Sequence, residues 1–170
     1  MEKNLQQKKA EFLAYFQMLQ KQPKSDYTRE QFLKIRTYIE FLYDYFMWNY
    51  RFEYLRIFLK FTNFTISGDQ FVDEFMELRT STVLEFNQLI HELETSFEPA
   101  TKFLIDGRAF GFGDLINQTY EDCDVFVSDQ LLQSIGETSR DLGEIDENEF
   151  HNRIQEATFT IQKQIYKDMK

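Results

Sequence analysis

Apolar residues near the start of the chain recur at helical spacing: Leu5, Phe12, Leu13, Phe16 and Leu19 share one side of a helix over residues 3–21. Gln22-Pro23-Lys24-Ser25-Asp26 ends it, because proline lacks an amide donor and turns the preceding residue away from helix. Thr28, with Gln31 three positions on, is a capping box that opens a second helix. Beyond it the apolar positions form two stripes. Phe32, Ile35, Ile39, Leu42 and Phe46 make one, and Tyr38, Phe41, Tyr45 and Trp48 make the other. A helix apolar on two sides must be covered on two sides. The pattern continues through Tyr50, Phe52, Tyr54, Leu55, Phe58, Leu59 and Phe61, predicting one long helix to about Thr62.

Ser67-Gly68-Asp69-Gln70 carries a second capping box, and Phe71, Val72, Phe75, Met76 and Leu78 supply the buried side of the helix it starts. Thr80-Ser81-Thr82 is expected to weaken or redirect that helix before Val83, Phe86, Leu89, Ile90, Leu93 and Phe97 resume the register up to Pro99. The three glycines between 100 and 113 predict a loop or short helical turn, with Asp114 capping a further helix that bears Leu115, Ile116, Tyr120, Cys123 and Val127. A short helical piece around Leu131, Leu132 and Ile135 ends at Gly136. Asp146 and Glu149 open the last helix, whose core row is Phe150, Ile154, Ala157, Ile161 and Ile165.

These elements predict an all-α fold: an antiparallel helical bundle with a four-helix-type core over residues 53–168 and an N-terminal helical extension. The best division is 1–50, an extension packed on the bundle, and 51–170, an acidic bundle. Because that join lies inside an expected helix, one continuous body is expected, as the 170-residue length also suggests. Two Pro and six Gly leave little punctuation for a many-stranded β fold, and 29 aromatic residues exclude a disordered chain. No apolar run approaches the roughly 18 residues of a membrane span, and Met1-Glu2-Lys3-Asn4-Leu5 lacks the apolar core of an export signal. A cytoplasmic setting is expected, or an organelle stroma if the chain is organelle-encoded. Phe, Tyr, Met, Ile, Asn and Lys total 63 residues against 21 for Gly, Ala, Arg and Pro, as AT-rich coding in a plastid or some bacteria would produce.

Charge changes this picture most. Residues 1–60 carry a net +4 and residues 61–170 a net −14. From Asp114 to Glu149 there are 11 acids and one base, Arg140. Such a segment repels nucleic acid and steers toward cationic partners, with an attraction that salt weakens. Twelve aromatics fall between Tyr38 and Phe64. Beyond filling a core, Tyr38, Phe41, Tyr45 and Trp48 are candidates for an aromatic interface. Arg51, Arg56 and Lys60 interleave with aromatics as in single-strand nucleic-acid binders, but the acidic balance that follows argues against direct nucleic-acid binding.

No catalytic or metal constellation emerges. His91 and His151 lack a Glu three residues earlier, as a di-iron bundle requires, and His91-Glu92-Leu93-Glu94-Thr95 lacks the second His of a zincin. An EF-hand beginning at Asp141 would put Gly143 and Ile145 at ligand positions. Gly111-Phe112-Gly113-Asp114-Leu115-Ile116 starts like a dinucleotide fingerprint but ends in Ile. Cys123, the one cysteine, excludes an intramolecular disulfide and any Cys-built zinc site; it stands between Asp122 and Asp124, whose charges disfavour a thiolate. The chain therefore reads as a non-enzyme with no cofactor.

The order Leu55 to Phe61, then Ile66-Ser67-Gly68-Asp69-Gln70-Phe71-Val72-Asp73-Glu74-Phe75, then Arg79, resembles the opening of the colicin D immunity protein family. The resemblance returns at Asp114-Leu115-Ile116 through Tyr120-Glu121-Asp122-Cys123-Asp124-Val125-Phe126-Val127-Ser128-Asp129, and at Glu144-Ile145-Asp146-Glu147-Asn148-Glu149-Phe150. It covers roughly residues 53–165 in three short patches. About 50 aromatic-rich residues precede it, and the stretch from Thr80 to Gly113 is longer than in the compact family, so a divergent member is implied. The resemblance implies a bundle that binds and blocks a cationic, tRNA-cleaving toxin nuclease by offering carboxylates where RNA phosphates would lie. Candidate contacts are Glu121, Asp122, Asp124, Asp129, Asp141, Glu144, Asp146 and Glu147, with Asp146 doubling as a helix cap. The other expectation is a structural or assembly subunit of a larger complex, motivated by the two-sided aromatic helix.

Overall fold

The structure is a computed structural model that describes residues 2–21, 26–95 and 111–169. It is an all-α bundle, with seven helices and no strand among the described residues: α1 (Glu2–Leu19), α2 (Arg29–Asn49), α3 (Arg51–Thr62), α4 (Gly68–Thr95), α5 (Gly111–Val125), α6 (Asp129–Ile135) and α7 (Glu147–Asp168). The chain divides into two compact units, Met1–Asn49 with Ser81–Asp114, and Tyr50–Thr80 with Leu115–Lys170. Helices α4 and α5 each pass from one unit into the other.

Of the described residues, 81–95 and 111–114 group with the N-terminal helices. The single helix expected from 28 to 62 is two, interrupted at Tyr50, whose φ of −94° and ψ of 11° leave the helical region. The apolar pattern carries no mark of that break, since apolar residues recur at helical spacing on both sides of it. Conversely, Thr80-Ser81-Thr82 does not interrupt α4, which runs through it. Thr82 is fully buried there, between turns anchored by Phe75 and Phe86, also buried. Burying rings of that size outweighs the few tenths of a kcal/mol by which Thr and Ser disfavour helix.

In the first unit Phe12, Phe16 and Leu19 of α1 are buried. Tyr38 of α2 lies over Phe12 and Tyr15, with ring centroids 5.9 and 5.6 Å apart. The side chain of Leu5 lies outside the described set. Further along α2, Tyr43 and Phe46 meet Phe86 of α4 at 5.1 and 5.6 Å. Trp48 stands edge-on to Phe112 at the start of α5, at 5.3 Å and 88°.

The second unit is organised around phenylalanine rings. Phe58 and Phe61 of α3, Phe71 and Phe75 of α4 and Phe150 of α7 are buried together, with centroids 5.1–6.1 Å apart. Phe126 stacks on Phe150 at 4.3 Å. Gly68 is required beneath it: a Cβ there would lie 2.5 Å from Phe126 Cζ. The expected row Phe150, Ile154, Ala157, Ile161 and Ile165 is buried throughout α7.

The helix starts follow the sequence signals. Thr28 N–H donates to Gln31 Oε1 at 2.8 Å while Thr28 Oγ1 accepts from Gln31 N–H at 3.2 Å, and Ser67 and Gln70 repeat the exchange at 2.9 and 3.2 Å. Asp146 caps α7 by accepting from Glu149 N–H at 2.8 Å. Gly136 closes α6 in the left-handed region at φ 78°, where a side chain is disfavoured.

Asp114 is not a cap. Helix α5 begins at Gly111, so Asp114 lies in its first turn, and the carboxylate that serves the first amides comes from Asp44 of α2. Asp44 Oδ1 accepts from Gly113 N–H at 2.7 Å, and Phe112 N–H also donates to this carboxylate.

Candidate functional site

The acidic segment occupies α5 from Asp114 onward, α6, the loop after it and the first turn of α7. Two short backbone pairings tie it together: Ile145 N–H donates to Val125 O at 2.9 Å, and Val127 N–H donates to Ile145 O at 3.1 Å. On this corner the one base of the run, Arg140, acts as a hub. Its Nε donates to Val127 O at 2.9 Å, and its outer nitrogen reaches Asp129 and, at 3.2 Å, Glu147. Glu147 Oε1 also accepts from Asp129 N–H at 2.7 Å. Hydrogen bonding to Asp129 raises the Arg140 pKa further above its already high value, so the guanidinium is charged at any working pH.

A second cation divides itself in the same way. Arg153 of α7 donates to Asp122 of α5 at 2.7 Å and to Glu149 one turn back at 2.8 Å. This ion pair borders a cleft of about 280 Å³ lined by Gln118, Thr119, Asp122, Arg153, Glu156 and Thr160 among others.

The eight candidate carboxylates therefore fall into different roles. Asp129 and Glu147 share Arg140; Asp122 pairs with Arg153; Asp146 is the α7 cap; Glu144 Oε2 accepts from Asp141 N–H at 2.7 Å. The exposed carboxylates of Glu121, Asp124 and Asp141 make no ion pair among the described residues. Much of the acidity is thus matched by local donors, and a smaller set is left facing solvent.

The aromatic candidates also separate. Trp48 is buried against Phe112 and belongs to the core of the first unit. Tyr38 is half-buried under α1, Tyr45 is half-buried, and Phe41 is exposed. Four residues spaced for one helical face do not form one aromatic surface, because neighbouring helices take two of them.

Chemistry dismissed at the sequence level has a structural counterpart in two places. The glycine run at 111–113 offers its amides to a carboxylate, Asp44, where a dinucleotide fold would offer them to phosphate. Burial holds the Asp44 carboxyl above the usual Asp range; the Gly113 and Phe112 amides oppose that rise without cancelling it. Cys123 is buried, and its thiol is pushed up to about 12. Burial is the main cause, Asp122 adds to it, and Arg79 opposes it. The flanking acids invoked from the sequence are therefore the lesser influence. Among the described residues no group of three or more His, Cys, Asp or Glu could hold a metal ion, and no helix is long and apolar enough to cross a membrane.

Several features had only faint sequence signals. Arg140 was visible as the lone base of its run, and Arg153 as the i+4 partner of Glu149. Asp44 had none, since its partner lies 69 residues away. No family model, curated protein or solved structure matches the chain.

Proposed function

We propose that this chain is a non-catalytic helical binding protein that presents carboxylates to a positively charged protein surface, in the manner of the colicin D immunity proteins it resembles. The observation that carries this is the state of the acidic segment. Its one base is saturated by Asp129, Glu147 and a carbonyl, while Glu121, Asp124 and Asp141 remain exposed without an ion partner among the described residues. Unmatched charge of one sign steers an oppositely charged partner and raises its on-rate by roughly 10–1000-fold at low salt. The favoured partner is the cationic, RNA-binding face of a tRNA-cleaving nuclease domain, which the chain would cover without touching nucleic acid itself.

The test is titration of a purified colicin D-type nuclease domain with the chain, following tRNA cleavage and binding over a salt series. Inhibition that weakens with salt, and is lost in Glu121→Lys/Asp124→Lys, supports the proposal. Full nuclease activity at excess chain refutes the toxin assignment, and binding indifferent to both salt and charge reversal refutes the electrostatic one.

A second function, a structural or assembly subunit of a larger complex, is favoured by exposed Phe32 and Phe41 on α2, at 45% and 38% of their full exposure. Purification from the native source separates the two. A stable complex of fixed stoichiometry supports the subunit, and a lone monomer counts against it.

A further inference from the structure

Helix α3 has a second apolar side. Tyr54, Ile57, Phe58 and Phe61 face the core, but Phe52, Leu55 and Leu59, spaced i, i+3 and i+7, line an outer groove of about 390 Å³. Phe52 keeps 52% of its full exposure there. The charged residues in the groove are Arg56 and Lys60. Lys60 is held by Glu74 at 2.8 Å, while exposed Arg56 makes no ion pair among the described residues.

The same unit carries a feature of opposite character. The seven residues of α6 bury Leu132 but leave Leu131 and Ile135 exposed at 45% and 61%, one turn apart on one side of the helix. The loop that follows adds Leu142, fully exposed, between exposed Glu137 and Asp141 on one side and Glu144 on the other. Single exposed apolar residues are ordinary. Here an apolar ridge with acidic flanks and an apolar groove bordered by one cation without an ion partner among the described residues, Arg56, occur on one chain.

We propose that two copies of this chain associate by seating the α6 ridge of one, centred on Leu131 and Ile135, in the α3 groove of the other, with Glu137 facing Arg56. An apolar ridge laid in a hydrophobic groove is an established mode of helix recognition. The charges set orientation more than strength. The net charge of −10 repels copies at long range, but that repulsion is screened beyond about 8 Å at physiological ionic strength, whereas the apolar contact is not. Moderate salt therefore leaves this contact in place, opposite to the behaviour expected of a cationic partner. Glu121 and Asp124, on α5, belong to neither face, so failure of this inference leaves the proposed function standing.

The experiment is sedimentation velocity of the full chain over a concentration series at physiological and raised salt. Wild type is expected to show reversible association, weakened about tenfold or more by Ile135→Glu and by Leu55→Glu. An equimolar mixture of those two variants retains one intact groove and one intact ridge and is expected to form a 1:1 pair. Arg56→Glu, at an exposed position that cannot disturb the core, should weaken association, and adding Glu137→Lys should restore it. Far-UV circular dichroism checks that each variant is folded. A wild type that stays monomeric throughout overturns the proposal. So do variants that associate like wild type, or a mixture that stays monomeric while wild type associates.

Discussion

Replacing Asp44 tests whether a carboxylate from α2 is what starts α5. The first amides of a helix have no intrahelical partner, and Asp44 serves two of them, Gly113 N–H at 2.7 Å and Phe112 N–H. Losing an ordinary capping side chain costs about 1 kcal/mol, with an upper range of about 2. Asp44→Ala also takes this acceptor from the amides of two buried residues, which places the expected loss near the top of that range, about 2 kcal/mol. For a chain of this size that lowers Tm by about 4–8 °C. Asp44→Asn keeps an acceptor oxygen and removes the burial of a charge, so its loss should be under about 1 kcal/mol. Trp48, the one tryptophan, stands a turn further along α2 against Phe112, so its fluorescence in urea reads this junction directly.

The pH dependence has a definite sign. Burial holds the folded Asp44 pKa above its unfolded value, so the folded state binds the proton more readily. Above the raised folded value the difference in stability between wild type and Asp44→Asn is flat. As pH falls through that value toward the ordinary Asp value of about 3.9, wild type gains on the variant. An unchanged urea midpoint in Asp44→Ala would refute the cap, and a wild type that loses ground to Asp44→Asn on acidification would refute the burial argument.

Gly68→Ala should destabilise the second unit by about 1–3 kcal/mol, measured by urea titration, because its methyl would meet a Phe126 ring already stacked on Phe150. Native Cys123 should react with a thiol-specific disulfide reagent at pH 8 far more slowly than the urea-unfolded chain does, since burial holds its thiol at about 12; equal rates would count against a closed core there. Arg140→Gln should release the corner between α5 and α7, seen as faster hydrogen exchange at the Val127 and Ile145 amides while amides in α4 keep their protection.

How much of this was legible in the sequence depended on how far each signal reaches along the chain. Helix identity and most helix starts follow from residues within a turn of one another: Thr28 with Gln31, Ser67 with Gln70, Asp146 with Glu149, and the Phe150-to-Ile165 row. Local chemistry of that kind acts before any tertiary contact forms, and the sequence alone determined it. The continuity of α4 through Thr80-Ser81-Thr82 was decided by packing, where burial of large rings overrides small propensity differences, and the break at Tyr50 carries no local signal in the apolar pattern. Among the candidate site residues, composition could count acids but not their partners. Arg140 and Arg153 are shared between carboxylates from different elements, so only folding shows that Asp122, Asp129 and Glu147 are engaged while Glu121 and Asp124 are not. The same holds for Asp44, which reaches its amides only when α2 and the start of α5 come together. Short-range spacing determined which residues are helical and which faces are apolar. The tertiary structure alone decided which apolar faces stay uncovered and which charges stay unmatched, because both depend on what distant parts of the chain bring alongside.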